Sequence, residues 1–121
     1  MTYSLTGTKH RISLDAAIKM TRTFRAKKKD IIAESFRTQN ILPDAETFDR
    51  IIFDQLLALP GCVGLRIYYG LDDKDEMHAI IVGVSADNED ILPTGPSTNV
   101  TIGEEGRTCP PFCSPASPLN Q

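Results

Sequence analysis

The residues best suited to chemistry are three cysteines, two of which lie near the C-terminal end of the chain. Cys109 and Cys113 enclose the run Pro110-Pro111-Phe112, and Cys62 stands alone after Gly61. In an extended polyproline conformation the two tail cysteines would be about 12 Å apart, whereas the Cα atoms of a disulfide lie within about 7 Å. A disulfide therefore requires Pro110-Pro111 to form a turn.

Three interpretations of these cysteines remain open. An odd number of cysteines in a chain without secretory features favours unpaired thiols, and a disulfide or thiol-redox pair at Cys109 and Cys113 is the second interpretation. The third is zinc, which needs four ligands in a closed site. Such a site would have to recruit Cys62 and either His10 or His78 from distant segments. We expect no cofactor, with zinc at these cysteines as the exception to test.

A second group of residues could bind an anion. Arg66 and Tyr68 alternate on one predicted strand, and His78 lies on the next predicted strand. If Tyr68 pairs with His78, a guanidinium, a phenol and an imidazole come together, and these groups can hold a carboxylate or a phosphate between them. Strands that face water carry the same residue types for solubility alone. We treat Arg66, Tyr68 and His78 as candidate ligand-binding residues and predict no catalytic residue.

Other charged segments are typical of solvated surfaces. The acidic turn lacks the alternating oxygen donors and the central glycine of a helix-loop-helix calcium site. Its acidic residues are Asp72, Asp73, Asp75 and Glu76. The chain also has no Gly-rich phosphate loop and no Gly-x-Ser-x-Gly nucleophile motif, which weakens the case for an enzyme. Active sites built from scattered residues stay compatible with the sequence.

Two helices must position these residues. Ser13 can cap a first helix, whose end the pattern does not define, and Pro43 interrupts the helical register. A second helix is predicted from Asp44 or Thr47 to Leu59-Pro60-Gly61. The apolar positions of the first helix are Leu14, Ala17, Ile18, Thr21 and Phe24, and those of the second are Phe48, Ile51, Ile52, Leu56 and Leu57.

A β-hairpin is predicted between residues 63–69 and 77–85, because both segments are rich in β-branched and aromatic residues. The odd-numbered residues, including Val63, Leu65 and Ile67, are predicted to point inward beneath the second helix. A lone hairpin is marginal in water, so a third strand is expected from Val100-Thr101-Ile102 or Tyr3-Ser4-Leu5.

The fold class that follows is α+β, with two helices and a possible short third one on a small antiparallel sheet built around the 63–69/77–85 hairpin. We predict one domain over residues 1–107 and an irregular tail, rich in proline and cysteine, over residues 108–121. A chain of 121 residues suits one compact core.

Composition also restricts the partners. The net charge of -3 gives no general attraction to nucleic acid, and no stretch is apolar enough to span a membrane. We expect a cytoplasmic protein without nucleic-acid or membrane partners, which binds a protein partner or associates with itself. A non-enzymatic binding or accessory role is the first interpretation, and a thiol-redox or metal-binding role of Cys109 and Cys113 is the alternative.

The chain resembles a group of small uncharacterised bacterial proteins. The resemblance is carried by Pro60-Gly61-Cys62, the strand Gly64-Leu65-Arg66-Ile67-Tyr68-Tyr69-Gly70-Leu71-Asp72 and the tail motif Cys109-Pro110-Pro111-Phe112-Cys113. It covers most of the chain from Ile12 onward. The resemblance implies that helix, hairpin and cysteine tail form one recurring unit, and it implies no particular activity.

Overall fold

The computed structural model describes residues 10–93 and 102–120. They form α helices and antiparallel sheets, which confirms the α+β prediction. The helices are α1 (Leu14–Ile31) and α2 (Arg50–Leu57), with a short 3-10 helix at Glu34–Phe36. The strands are β1 (Ala45–Thr47), β2 (Cys62–Leu71), β3 (Met77–Ser85), β4 (Asp90–Ile91) and β5 (Arg107–Cys109).

Contacts divide the described chain into two compact units. The first contains residues 48–70, 79–93 and 102–106, and the second contains residues 10–47, 71–78 and 107–120. Thr108 and Cys109, predicted to begin an irregular tail, belong to strand β5. The second unit thus combines α1 with the C-terminal residues.

The first unit is organised around β3, which lies between β2 and β4 in an antiparallel sheet. Ile81, Val82 and Val84 of β3 are buried. Leu56 of α2 is also buried, and the backbone oxygen of Leu56 would lie 3.6 Å from a Cβ placed on Gly83. The end of α2 therefore packs against the central strand.

The side chains of β2 do not follow the predicted burial. Val63, Leu65 and Ile67 are exposed, so the expectation that they point into the core is wrong. Among the described strands, β2 is an edge strand of the sheet, whose order is β2-β3-β4. Because α2 packs against β3, the central strand takes the interior position that the sequence pattern assigned to both strands.

The third strand of the described sheet is β4, which pairs with β3 through Gly83↔Ile91 and Val84↔Asp90. Of the two predicted candidates, Tyr3-Ser4-Leu5 lies outside the described residues, as do the first two residues of Val100-Thr101-Ile102. The neighbouring Gly103 forms an isolated antiparallel bridge with Ile81.

The second unit starts with α1, and Ser13 caps it as predicted. The Ser13 hydroxyl accepts a hydrogen bond from the Ala16 amide at 3.1 Å. The helix places Ala17, Ile18 and Phe24 on a half-buried face, as their spacing predicts, whereas Leu14 of the same predicted face is 59% exposed. It continues to Ile31, through the basic run in which the sequence left its end undefined.

The second helix begins later than predicted. Residues from Ala45 to Thr47 form β1, which pairs antiparallel with β5 in the register Ala45↔Cys109, Glu46↔Thr108 and Thr47↔Arg107. Helix α2 begins only at Arg50. Pairing with a strand distant in sequence overrides the local helical pattern at these positions. In the part of the chain that the structure describes, no helix is both long and apolar enough to cross a bilayer.

Candidate functional site

The predicted anion-binding residues Arg66 and Tyr68 do meet around a carboxylate, which belongs to Asp90 of the same unit. The Arg66 guanidinium donates to Asp90 Oδ1 and the Tyr68 hydroxyl donates to Asp90 Oδ2. The guanidinium also donates to the side-chain oxygen of Asn88. The donors predicted for an external anion are therefore engaged by Asp90 at the start of β4 and by Asn88 in the loop between β3 and β4.

This network changes the acidity of its members. The hydrogen bond from Tyr68 and the pairing with Arg66 lower the pKa of the Asp90 carboxyl, because both favour its ionised form. Donation to Asp90 likewise raises the pKa of the Tyr68 phenol. At neutral pH the group is a guanidinium, a neutral phenol and a carboxylate, so its charges are largely balanced internally.

His78, the third predicted residue, has different partners in the second unit. Its Nδ1 atom lies 2.9 Å from Glu46 Oε2 on β1, and its Nε2 atom lies 2.9 Å from Asp72 Oδ2 at the hairpin turn. Only an imidazolium can donate to both carboxylates at once, since a neutral imidazole carries one N–H. His78 thus ties the hairpin turn to β1.

The two carboxylates also set the acidity of the cluster. The hydrogen bond to Glu46, reinforced by Asp72, raises the pKa of His78 above its ordinary value of 6.5. The pKa of Asp72 is lowered, chiefly because its carboxylate accepts the backbone amide of Glu76 and also that of Lys74. The geometry and the pKa shifts both favour a charged histidine at neutral pH.

A pH-dependent contribution to stability follows. Because the folded pKa of His78 lies above 6.5, the ion pairs stabilise the fold fully below that value, and the contribution is lost as the pH rises through the folded pKa. We expect His78→Gln to lower the free energy of unfolding by about 1 kcal/mol at about pH 6 and by much less at about pH 9. Urea denaturation of both proteins across this range measures the difference.

The other histidine provides the control for this prediction. His10→Gln should leave the pH dependence unchanged, since His10 is exposed and precedes α1. A difference between wild type and His78→Gln that stays constant or grows toward high pH would contradict the imidazolium assignment.

Among the described residues, one group of side chains is of the type that holds a metal ion. Asp72, Glu76 and His78 each offer one ligand atom, and these atoms lie within 4.8 Å of one another. A donor set of one imidazole and two carboxylates suits zinc or manganese. Both ring nitrogens of His78 already face carboxylates, however, and an Asp72 oxygen accepts two backbone amides. We therefore describe the cluster as an ion-paired histidine.

The tail cysteines Cys109 and Cys113 form a disulfide with a Cα–Cα distance of 4.7 Å. The turn that this pairing requires lies at Pro110-Pro111, where the Phe112 amide donates to the Thr108 carbonyl at 2.9 Å. Bonded to each other, the two sulfurs offer no thiolate to a zinc ion. Of the three interpretations of these cysteines, the structure shows the disulfide between Cys109 and Cys113.

Cys62, the third predicted residue of the metal or disulfide group, is a free thiol at the start of β2. Its sulfur lies 3.2 Å from the Gly64 carbonyl oxygen and would be 3.1 Å from a Cβ on Gly83. Both neighbours belong to the first unit, so Cys62 fills space between β2 and β3.

A continuous apolar surface on β2 is the feature that sequence reasoning placed on the wrong side. Val63, Leu65, Ile67 and Tyr69 alternate along the strand, and between 37% and 73% of each residue is exposed. We call these four residues the β2 stripe. Their alternation signalled an apolar face, but the pattern could not show which strand the helix would cover.

Comparison of the chain with models of known protein families, with curated proteins and with solved structures finds no match. The resemblance to small bacterial proteins through the Pro-Gly-Cys and Cys-Pro-Pro-Phe-Cys motifs stays a prediction. The function is therefore argued from the geometry of these residues.

Proposed function

We propose that the protein is a non-enzymatic binding protein that holds an extended apolar segment of another protein against the β2 stripe. The supporting observation is the exposure of Ile67 and Tyr69, at 52% and 73%, beside Val63 and Leu65 at 41% and 37%. The candidate anion-binding donors Arg66 and Tyr68, on the opposite face of β2, are already paired with Asp90, so the stripe is the better candidate for recognition.

The stripe differs from other exposed apolar residues by its continuity. Residues two positions apart on a strand lie about 7 Å apart on one face, so their side chains form a single patch. Apolar side chains exposed singly are normal on protein surfaces, whereas contiguous patches mark contact sites. A contact function is therefore supported by the arrangement of the four side chains, more than by their number.

The size of the stripe favours an extended segment over a second copy of the chain. Four side chains that are about half exposed present on the order of 400 Å². Two copies packed stripe to stripe would bury about 800 Å², less than the roughly 1,200 Å² of the smallest specific interfaces. A strand-like segment is as narrow as the stripe, and its alternate side chains match the spacing along β2.

A labelled peptide tests this proposal. We expect a fluorescein-labelled peptide of alternating valine and lysine to bind the full chain with a Kd on the order of 10–100 μM. The variant with Ile67→Ser and Tyr69→Ser should bind at least about tenfold more weakly, which corresponds to about 1.4 kcal/mol. Both side chains are largely exposed, so the melting temperature should be preserved. Fluorescence anisotropy and thermal denaturation measure the two quantities.

Ile51→Ser provides the matched control, because Ile51 is 66% exposed on α2 of the same unit. Equal weakening by Ile51→Ser, or unchanged binding by the stripe variant, would contradict the proposal. Sedimentation velocity provides the other decisive outcome. If the wild type is a dimer that the stripe variant converts to a monomer, the occupant is a second copy and the peptide proposal is wrong.

A further inference from the structure

The disulfide of the second unit is asymmetric in its exposure. Cys109 ends strand β5, is only 4% exposed, and its carbonyl accepts the Asp44 amide at 2.7 Å. Cys113 lies beyond the turn and is exposed. An attacking thiolate can therefore approach Cys113, while Cys109 is shielded and fixed by the pairing of β1 with β5.

A cavity of about 260 Å³ adjoins the disulfide within the same unit. Its lining includes Cys109, Phe112, Ser114 and Leu119, and the exposed Cys113 lies between the lining residues Phe112 and Ser114 in the chain. The Phe112 ring is held by the guanidinium of Arg107, which lies 5.4 Å from the ring centroid. Apolar side chains and serine hydroxyls together suit a short stretch of peptide, which presents both side chains and amide groups.

From this arrangement we propose that the Cys109–Cys113 disulfide is a thiol–disulfide exchange centre that oxidises a dithiol carried by a peptide segment bound in the adjoining cavity. This activity goes beyond the binding role of the β2 stripe and depends on different residues.

The reaction balances without a further reactant. One thiolate of the peptide attacks Cys113 Sγ, the bond between the two cysteine sulfurs breaks, and Cys109 leaves as a thiolate that takes up a proton. The second peptide thiolate then attacks the peptide sulfur of the mixed disulfide and releases Cys113. The peptide dithiol loses two electrons and two protons and becomes a disulfide, and the protein disulfide becomes two thiols.

A purely structural disulfide is the competing explanation, and the short loop of chain that the disulfide closes argues against it. Only three residues separate Cys109 from Cys113, and the chain entropy removed by a disulfide increases with the length of the loop that it closes. Cytoplasmic disulfides, the kind expected for this chain from its sequence, are usually transient and catalytic or redox-sensing.

The test uses the full chain with Cys62→Ser as background, so that the free thiol of the first unit does not contribute. We expect about 1 mM dithiothreitol to reduce the disulfide within minutes while the far-UV circular dichroism stays native. A reduced peptide with two cysteines should be oxidised in equal molar amount, and adding Phe112→Ala should slow this reaction at least fivefold without slowing reduction by dithiothreitol. Thiol counting and mass spectrometry follow both reactions.

Two further outcomes decide the assignment of roles. In the same background, adding Cys109→Ser leaves the Cys113 thiol, which should react with Ellman's reagent at least tenfold faster than the Cys109 thiol left by adding Cys113→Ser. If the disulfide of the wild-type chain is reduced only when the fold is lost, the exchange proposal is wrong. This measurement does not depend on the Cys109 and Cys113 variants. If reduced glutathione and the two-cysteine peptide reduce the disulfide at equal rates per thiolate, the cavity does not bind the peptide and its proposed role is wrong.

Discussion

Leu56→Ala is expected to lower the free energy of unfolding by about 3 kcal/mol, the largest effect of any single side chain considered for this protein. Leu56 is 0% exposed and belongs to the small set of buried residues that includes Ile81, Val82 and Val84. Removing its side chain loses transfer free energy and leaves a cavity that the fixed strand cannot fill.

The neighbouring residue supplies a control of the same chemistry. Leu57 is also a leucine of α2 but is 52% exposed, so Leu57→Ala should change the free energy of unfolding by about 0.5 kcal/mol or less. Both substitutions carry the same difference in helix propensity. Urea denaturation of the two variants measures the contrast, and equal losses would show that α2 does not pack through Leu56.

Gly103→Val is expected to cost about 2 kcal/mol, because the added side chain has no space. A Cβ at Gly103 would lie 2.9 Å from Ile52 Cγ1 and 3.4 Å from Ile81 Cβ. The backbone is held in place by two hydrogen bonds of 2.8 Å, one in each direction between Gly103 and Ile81. The strain must therefore be relieved by moving the core side chains themselves.

Gly64→Val is the matched variant for this prediction. Gly64 lies within β2, and apart from Gly64 and its two chain neighbours no residue has an atom within 4 Å of a Cβ placed there. Because valine favours strands, Gly64→Val should leave stability unchanged or raise it slightly. Thermal denaturation of both variants checks the difference, and a tolerated valine at position 103 would refute the close contact between Gly103 and Ile52.

The elements defined by local signals could be predicted, and those defined by distant pairing could not. The Ser13 hydroxyl predicts the start of α1. The β-branched and aromatic residues on either side of the acidic turn predict the hairpin. The strand Ala45–Thr47 has no such signal, because it exists through its pairing with β5 more than fifty residues away. The same limit explains β2, whose alternation predicts a face while the choice of the covered strand depends on where α2 packs.

The candidate sites show the same division. The sequence made Arg66, Tyr68 and His78 candidates for holding a carboxylate or a phosphate, and it could not indicate that Asp90 engages Arg66 and Tyr68. Strand spacing places His78 in that group, whereas its partner Glu46 lies on β1, a strand that no local sequence pattern reveals. For the cysteines, the spacing showed only that Pro110-Pro111 had to turn if a disulfide was to form.

The central position of β3 has a consequence for the unfolded chain. The segment Ala79-Ile80-Ile81-Val82-Gly83-Val84 carries no charge and no proline, and such segments form cross-β aggregates when they are free. Folding buries its last four residues, and acidic residues border it on both sides at Asp75-Glu76 and Asp87. Production of the protein at high concentration should therefore succeed best under conditions that keep β3 folded within its sheet.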